Sequence, residues 1–329
     1  MPDAGGELSL GYWLSAEEHQ PHELVRHAVD AEAAGFIAAM ISDHFHPWTP
    51  EQGSAPFVWA VIGAIAQATS GLHVATGVTA PICRMHPAVV AHAAATVAVL
   101  LEGRFALGLG TGERLSEHVT GVRWERPASR RRMLAEAIEI IRPLLRGELV
   151  NHNGDRFTVE HAQLYTRPAT PPPIWIAASG PRSARLAGEV GDGLVAVEPN
   201  PKLIDSYLRA GGDGMRAGQL HVCVADSDAR ARATALRWWR HGGLPPNVLP
   251  ELARPEELAA ASELVTEEHL AGTVLCSADP EAHLTAIGRF ASAGFDRVYV
   301  HQVGPDQRAL FALYEDQVLP SLSKTTSQS

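Results

Sequence analysis

Lysine is almost missing from this sequence of 329 residues: among 27 basic side chains, only Lys202 and Lys324 are lysines. Schiff-base chemistry, which needs a lysine amine, has little to work with. Cysteine is scarce too. Cys83, Cys223 and Cys276 are odd in number, far apart and without metal-ligand spacing, which argues against a disulfide framework and for a reduced chain. No apolar run is long and clean enough for a bilayer span, and Met1 to Gly11 has no basic start leading into an apolar stretch. Nor is there a basic run; 37 acidic against 27 basic residues give a net charge of -10, a poor match for a phosphate backbone. The expectation is a soluble, cytoplasmic chain with no membrane segment and no nucleic-acid partner.

What is present is an alternation of short apolar strands with amphipathic helices. Strands are expected at Leu8 to Leu14, Ala38 to Ser42, Val74 to Val78, Phe105 to Leu109, Ile174 to Ala178, Gly193 to Val197, Leu220 to Ala225 and Arg297 to His301. Helices fall between them, for example Pro21 to Ala34, Pro87 to Leu101 and Pro181 to Val190. Strands apolar on both faces, each followed by a helix, mean a parallel sheet covered by helices. About eight such units predict an α/β fold, a (β/α)8 barrel forming a single domain over 1–329. Glu148 to Leu164 breaks the rhythm as a hairpin turning at Asn153-Gly154. Gly242 to Ala271 is too long for an ordinary connection and is read as an insertion over the active face. Pro305 to Leu319 closes the chain as a helix, and Ser321 to Ser329 reads as a flexible polar tail.

Chemistry-bearing residues collect where the strands end, the face on which barrels of this kind place their active sites. Asp43, His44 and Trp48 follow the second strand, Thr111, Gly112 and Glu113 the fourth, and Tyr12 and Ser15 end the first. Val197 ends the sixth strand and Glu198 follows it; His301 ends the last and Gln302 follows it. His44 on its own reads equally as a structural histidine; beside Asp43, and with Glu113 across the barrel, it reads as half of an acid/base pair. Trp48 offers a flat apolar wall with one N–H donor. Gly108 to Gly112 lacks the spacing of a nucleotide loop, and reads as close approach of backbone to a planar ligand. Ser179-Gly180 opening a helix, with Arg182 and Ser183 in its first turn, can hold an anion or be a plain turn. His44-Phe45-His46 has the form of a barrel metal pair, but later strands add only His301 and no lysine stands ready to be carboxylated, so no metal is expected. A catalytically silent barrel is the remaining alternative.

Ser42 to Trp48 (SDHFHPW), Gly108 to Glu113 (GLGTGE), Gly191-Asp192-Gly193 and His86 to Val90 together resemble the luciferase-like barrel family, and within it the coenzyme F420-dependent oxidoreductases of the glucose-6-phosphate dehydrogenase type. The resemblance implies deazaflavin bound near Asp43, His44 and Glu113 as the acid/base pair, Trp48 beside the reacting carbon of a small-molecule substrate, and a homodimer. It also implies a cis peptide at Gly77-Val78 behind the ring. An FMN-dependent monooxygenase on the same barrel is the alternative, with FMN as its cofactor. Where the sugar-phosphate members carry two lysines this chain has Asn200 and Gly272, and Val197 and Glu198 make that wall apolar and acidic. A neutral alcohol or carbonyl compound, or an activated double bond, is therefore expected as substrate; Arg84 or Arg308 are the candidates to restore a phosphate clamp.

Overall fold

The computed structural model describes residues 8–326. The chain runs β1 (Ser9–Leu14), α1 (Pro21–Ala33), β2 (Ala38–Ile41), α2 (Val58–Ala68), β3 (His73–Thr76), α3 (Pro87–Leu100), β4 (Phe105–Leu109), α4 (Arg114–Glu117) and α5 (Pro127–Leu145). The expected hairpin follows as β5 (Val150–Asn153) and β6 (Thr158–Ala162), antiparallel with His152 opposite Val159. Then come β7 (Ile174–Ala177), α6 (Pro181–Val190), β8 (Gly193–Ala196), α7 (Pro201–Arg209), β9 (Met215–Cys223) and α8 (Asp228–Trp238). The last part holds α9 (Pro255–Ala261), α10 (Glu267–Leu270), β10 (Val274–Cys276), α11 (Pro280–Ser292), β11 (Arg297–Gln302), α12 (Arg308–Leu313) and α13 (Leu319–Thr326).

The strands pair in parallel in the order β1-β2-β3-β4-β7-β8-β9-β11 and return to β1, closing a barrel. The short β10 lies on the upper half of β9, which β8 leaves free after Gly218. Alternation along each strand builds two cores. Inside the barrel, Trp13, Met40, Trp175 and Tyr299 interleave with Ala38, Ala75, Ala106 and Ala217, large against small, as a packed lumen requires. A Cβ on Gly11 would collide with the Tyr299 ring, so the glycine makes room for that ring. Outside, residues such as Leu14, Ile41, Leu107 and Ile176 meet the helix layer through Leu24, Ile62, Val90 and Ile141. Fully burying a side chain such as Ile41 contributes roughly 1.5–3 kcal/mol.

Three details depart from the expectation. β9 begins at Met215, five residues before Leu220, because Met215 to Gly218 complete the pairing with β8. β10 and the single-turn α4 escape the sequence pattern, being too short to show a period. The closing helix passes through a π-helical stretch at Tyr314–Val318. It then continues as α13, so the segment read as a tail is helical as far as Thr326; the rest lies outside the described residues. The segment read as an insertion folds as 3₁₀ turns at Arg240–Gly243 and Leu249–Glu251 followed by α9 and α10. Its Glu251 reaches Trp124 Nε1 at 3.0 Å and Arg130 Nη1 at 3.2 Å, tying the segment to the residues around the start of α5.

Candidate active site

The centre of the mouth is a row of three ionisable side chains. His44, just past β2, has its Nδ1 2.6 Å from Glu17 Oε1 and its Nε2 3.5 Å from Glu113 Oε2. Glu17 comes from the loop after β1 and is buried, while 16% of the His44 side chain and 29% of Glu113 remain open. The other Glu17 oxygen accepts from Ser42 Oγ at 2.7 Å and Ser15 Oγ at 3.1 Å. Both hydroxyls therefore fix the carboxylate that fixes the imidazole, and the free edge of His44 points at Glu113.

Burial works against charge on His44, but the field and hydrogen bond of Glu17, with Glu113 and Asp43 behind, overcome it and lift the imidazole to about 9. Burial likewise opposes the Glu17 charge, and His44 with Ser42 overcomes it, lowering that carboxyl to about 2. Glu113 goes the other way: burial raises it, and His44 offsets only part. The row thus holds a proton on His44 between an anchored carboxylate and a carboxyl whose environment favours its neutral form, which is the separation an acid/base pair needs.

An aromatic and imidazole wall stands on one side of this row. Trp48 meets His44 edge-on at 4.7 Å, and the His241 ring lies nearly parallel to Trp48, 14° off and 5.0 Å away. Trp239 continues the wall, 4.4 Å from His241, 4.9 Å from His221 and 4.6 Å from His301. Both ring nitrogens of His241 are buried without a hydrogen-bond partner. The opposite side is built from small residues. A Cβ on Gly110 would come within 2.6 Å of Val78 and 3.6 Å of Ala177, and one on Gly77 within 2.6 Å of Met40 and Trp13. The Gly77–Val78 peptide is cis. Gly112 has φ 65°, and a Cβ there would strike Glu117 and Ala80. A smooth floor of backbone and methyl groups beside the charged row suits a flat ring system.

The first turn of α6 lies at the outer end of that floor. Gly180 leaves open space around its Cα, Ser179 and Arg182 are exposed, and Arg131 feels the positive charges of Arg182 and Arg130 after burial as the forces lowering it. Free amides at a helix start, with two arginines nearby, suit a phosphate or carboxylate.

The family model described as luciferase-like monooxygenase matches residues 9–297. The chain belongs to the luciferase-like family. It is 35% identical to the F420-dependent glucose-6-phosphate dehydrogenase of Nakamurella multipartita, with 98% of each chain aligned. It is 38% identical to the F420-dependent hydroxymycolic acid dehydrogenase of Mycobacterium tuberculosis, over 95% of this chain and 88% of the relative. Among solved structures, an F420-dependent secondary alcohol dehydrogenase in complex with an F420-acetone adduct superposes with a TM-score of 0.89 at 28% identity, covering 96% of this chain and 99% of that one.

Within this luciferase-like barrel, His44 stands 3.5 Å from Glu113 and 4.7 Å from Trp48, Gly77, Val78 and Gly112 line the neighbouring floor, and Thr111 is half-buried. Asp43 is different: Thr79 Oγ1 donates to it at 2.6 Å and Arg84 Nη2 at 2.7 Å, and its side chain is closed to solvent. Its carboxylate thus faces protein. Arg84 is spent on the same pair and on Glu117, so it offers no phosphate clamp; Arg308 is exposed at the start of α12. Asn200 accepts from Lys202 N at 3.1 Å as the cap of α7, and Gly272 has no neighbour within 4 Å of a would-be Cβ. Val197, 54% exposed, and Glu198 lie open beyond β8.

Gln302 corrects the sequence reading. It follows His301 and so points to the other face of β11, where its amide is used up on Val224 N, Val224 O and Asp306 O. It cannot serve a substrate. His301 is wholly buried, and reaches the mouth only through His221. His46 turns its Nδ1 to the Leu115 carbonyl at 2.8 Å and stacks on His118, so the two imidazoles of the H-x-H pair do not converge. Sequence reasoning passed over Glu17, Glu18, His221, Trp239 and His241. For Glu17 and Glu18 a signal existed, two acids directly after the first strand, at the end where Tyr12 and Ser15 drew notice.

Proposed function

We propose that this chain is an F420-dependent oxidoreductase exchanging a hydride with a neutral alcohol or carbonyl substrate, or an activated double bond, rather than with a sugar phosphate. The observation that carries it is the Glu17–His44–Glu113 row standing between a glycine floor and the Trp48 wall. The floor and Val78 fit a deazaflavin ring, and the α6 start with Arg131 and Arg182 fits its phosphate-bearing tail. When bound, the deazaflavin supplies a hydride donor or acceptor at C5. The chain's own residues do the rest. Glu17 orients His44 so that Nε2 faces the substrate oxygen, which it deprotonates in oxidation and protonates in reduction. Glu113 holds or releases the proton at the ring nitrogen. Trp48 confines the substrate carbon, and the wall beyond it keeps water away.

The substrate half of the reading rests on what stands at the two lysine positions. Each charge-assisted bond to a phosphate is worth about 1.5–3 kcal/mol, so losing two weakens a sugar phosphate by about 10²–10⁴. Asn200 is committed to a helix cap and Gly272 has no side chain. Steady-state turnover of F420 with glucose 6-phosphate against neutral secondary alcohols and ketones tests this. Efficient use of the phosphate ester overturns the substrate assignment, and FMN outcompeting F420 in a fluorescence titration overturns the cofactor. Among the described residues no helix is long and apolar enough to cross a membrane. The proposal includes a cytoplasmic homodimer that binds no nucleic acid, supported by family and by the net charge of -10, and checked by light scattering.

A further inference from the structure

The Glu17–His44–Glu113 row has a neighbour that the reaction does not use. Glu18 Oε2 lies 2.9 Å from His301 Nε2, and Glu18 Oε1 accepts from Gly304 N at 3.1 Å. On the far edge of His301, its Nδ1 lies 2.9 Å from Nδ1 of His221. All of this is sealed except its end: Glu18 and His301 are buried, while His221 is partly exposed and its Nε2 is neither bonded nor among the buried atoms lacking a partner. Tyr299 and Ala217 point into the lumen, so His301 and His221, two and four residues further along parallel strands, point into the same lumen nearer the mouth. Trp239 covers both rings and joins them to His241 and Trp48. His221 therefore opens on the substrate half of the mouth, not on the glycine floor.

Hydrogen-bond direction along this chain is limited by the protons that each ring carries. A carboxylate only accepts, so His301 Nε2–H donates to Glu18. The contact between the two Nδ1 atoms needs one proton; with His301 carrying a single proton towards Glu18, its Nδ1 accepts and His221 Nδ1–H donates to it. The single proton of His221 is thereby used, and its Nε2 is left as a bare lone pair at the one ring of this chain that is not sealed. Burial, with His301 and His241 adding to it, keeps His221 well below the usual imidazole range, in line with a neutral ring.

Resting on the F420-dependent reading above, we infer that Glu18, His301 and His221 fix His221 Nε2 as a hydrogen-bond acceptor at the substrate end, so that the enzyme selects alcohols carrying a second, neutral hydroxyl. A hydroxyl can donate to this nitrogen; a methyl ether, ketone, carboxylate or phosphate at the same place presents only lone pairs against it. Sites built to bond a substrate hydroxyl reject the analogue that cannot make the bond, because their own polar group is left unpaired.

The test has two arms. In the first, F420 turnover is measured with a short-chain diol and with its monomethyl ether, for the wild type, His221→Phe and His221→Gln, alongside F420 affinity by fluorescence. The wild type is expected to favour the diol in kcat/KM by about tenfold or more. His221→Phe brings the ratio towards one, His221→Gln, whose amide oxygen can accept, restores part of it, and F420 affinity stays within a few-fold. In the second arm, nitrogen NMR of the holo-protein at about pH 8.5, above the ordinary imidazole range, reads the tautomers directly: the proton on Nδ1 in His221 and on Nε2 in His301. A diol-to-ether ratio unchanged in His221→Phe, or a proton on His221 Nε2, overturns the proposal. A wild type that turns over F420 with neither alcohol is a different result: it removes the functional reading and the substrate class with it, while the tautomer pattern still decides whether the relay exists.

Discussion

The two sides of the barrel mouth are built by opposite means. On β3, β4 and β7 the chain removes side chains: Gly77, Gly108, Gly110 and Ala177 leave a floor of backbone in which even a Cβ meets Val78, Met40 or the Thr76 carbonyl. On β1, β2, β9 and β11 and the segment after α8 it adds them: Glu17, Glu18, His44, Trp48, His221, Trp239, His241 and His301 pack imidazole on indole on carboxylate. The first side can vary little without losing its shape, because its function is close approach. The second can vary in hydrogen-bond character while keeping its bulk. A cofactor surface and a specificity surface thus face each other across His44.

The comparison is broken most severely from the floor. Gly110→Leu places a branched side chain where a single carbon already comes within 2.6 Å of Val78, and should raise the F420 dissociation constant by more than about a hundredfold with an unchanged circular dichroism spectrum. Unimpaired titration by F420 would show that the flat ligand lies elsewhere. From the other side, His44→Ala and Glu113→Gln should each lower kcat by about 10² or more and leave cofactor affinity within several-fold, as proton-transfer groups do. Near-normal turnover in either variant removes that residue from the mechanism.

The floor and the Trp48 end of the wall were legible in the sequence and the rest of the wall was not, and the reason is physical. Gly108 to Glu113 and the Ser42 to Trp48 stretch are local: every residue that matters is a neighbour in the chain, so GTGE and SDHFHPW show themselves. The barrel was legible on the same ground, since the period of an apolar strand followed by an amphipathic helix is a local property. The rest of the wall is assembled from β1, β9, β11 and the residues just beyond α8, and His221 looks like any strand residue until parallel pairing sets it opposite His301. Gln302 misled for a related reason: it ends a strand beside a functional histidine, but the alternation that brings His301 inward turns Gln302 to the helix layer.

The smallest effect expected sharpens the role of Glu17, which is buried and holds His44. Its carboxylate is the main reason that His44 titrates at about 9 rather than in the ordinary imidazole range. In the oxidation direction Nε2 must be free to take the alcohol proton. Only about a hundredth of His44 is neutral two units below its pKa, so kcat/KM for alcohol oxidation should rise roughly tenfold per pH unit from 7 towards 9. Reduction, which needs the imidazolium, should stay nearly level until the pH approaches about 9 and fall tenfold per unit only above it. Glu17→Gln keeps an oxygen for the Nδ1–H but removes the negative charge, so the midpoint of both limbs should move to lower pH while the high-pH plateau for oxidation changes by only a few-fold. The sign is the test: Glu17 stabilises the protonated ring, so losing it can only lower the midpoint. A pH profile unmoved in Glu17→Gln would mean that Glu113 or a bound substrate, not the buried carboxylate, sets the proton affinity of His44.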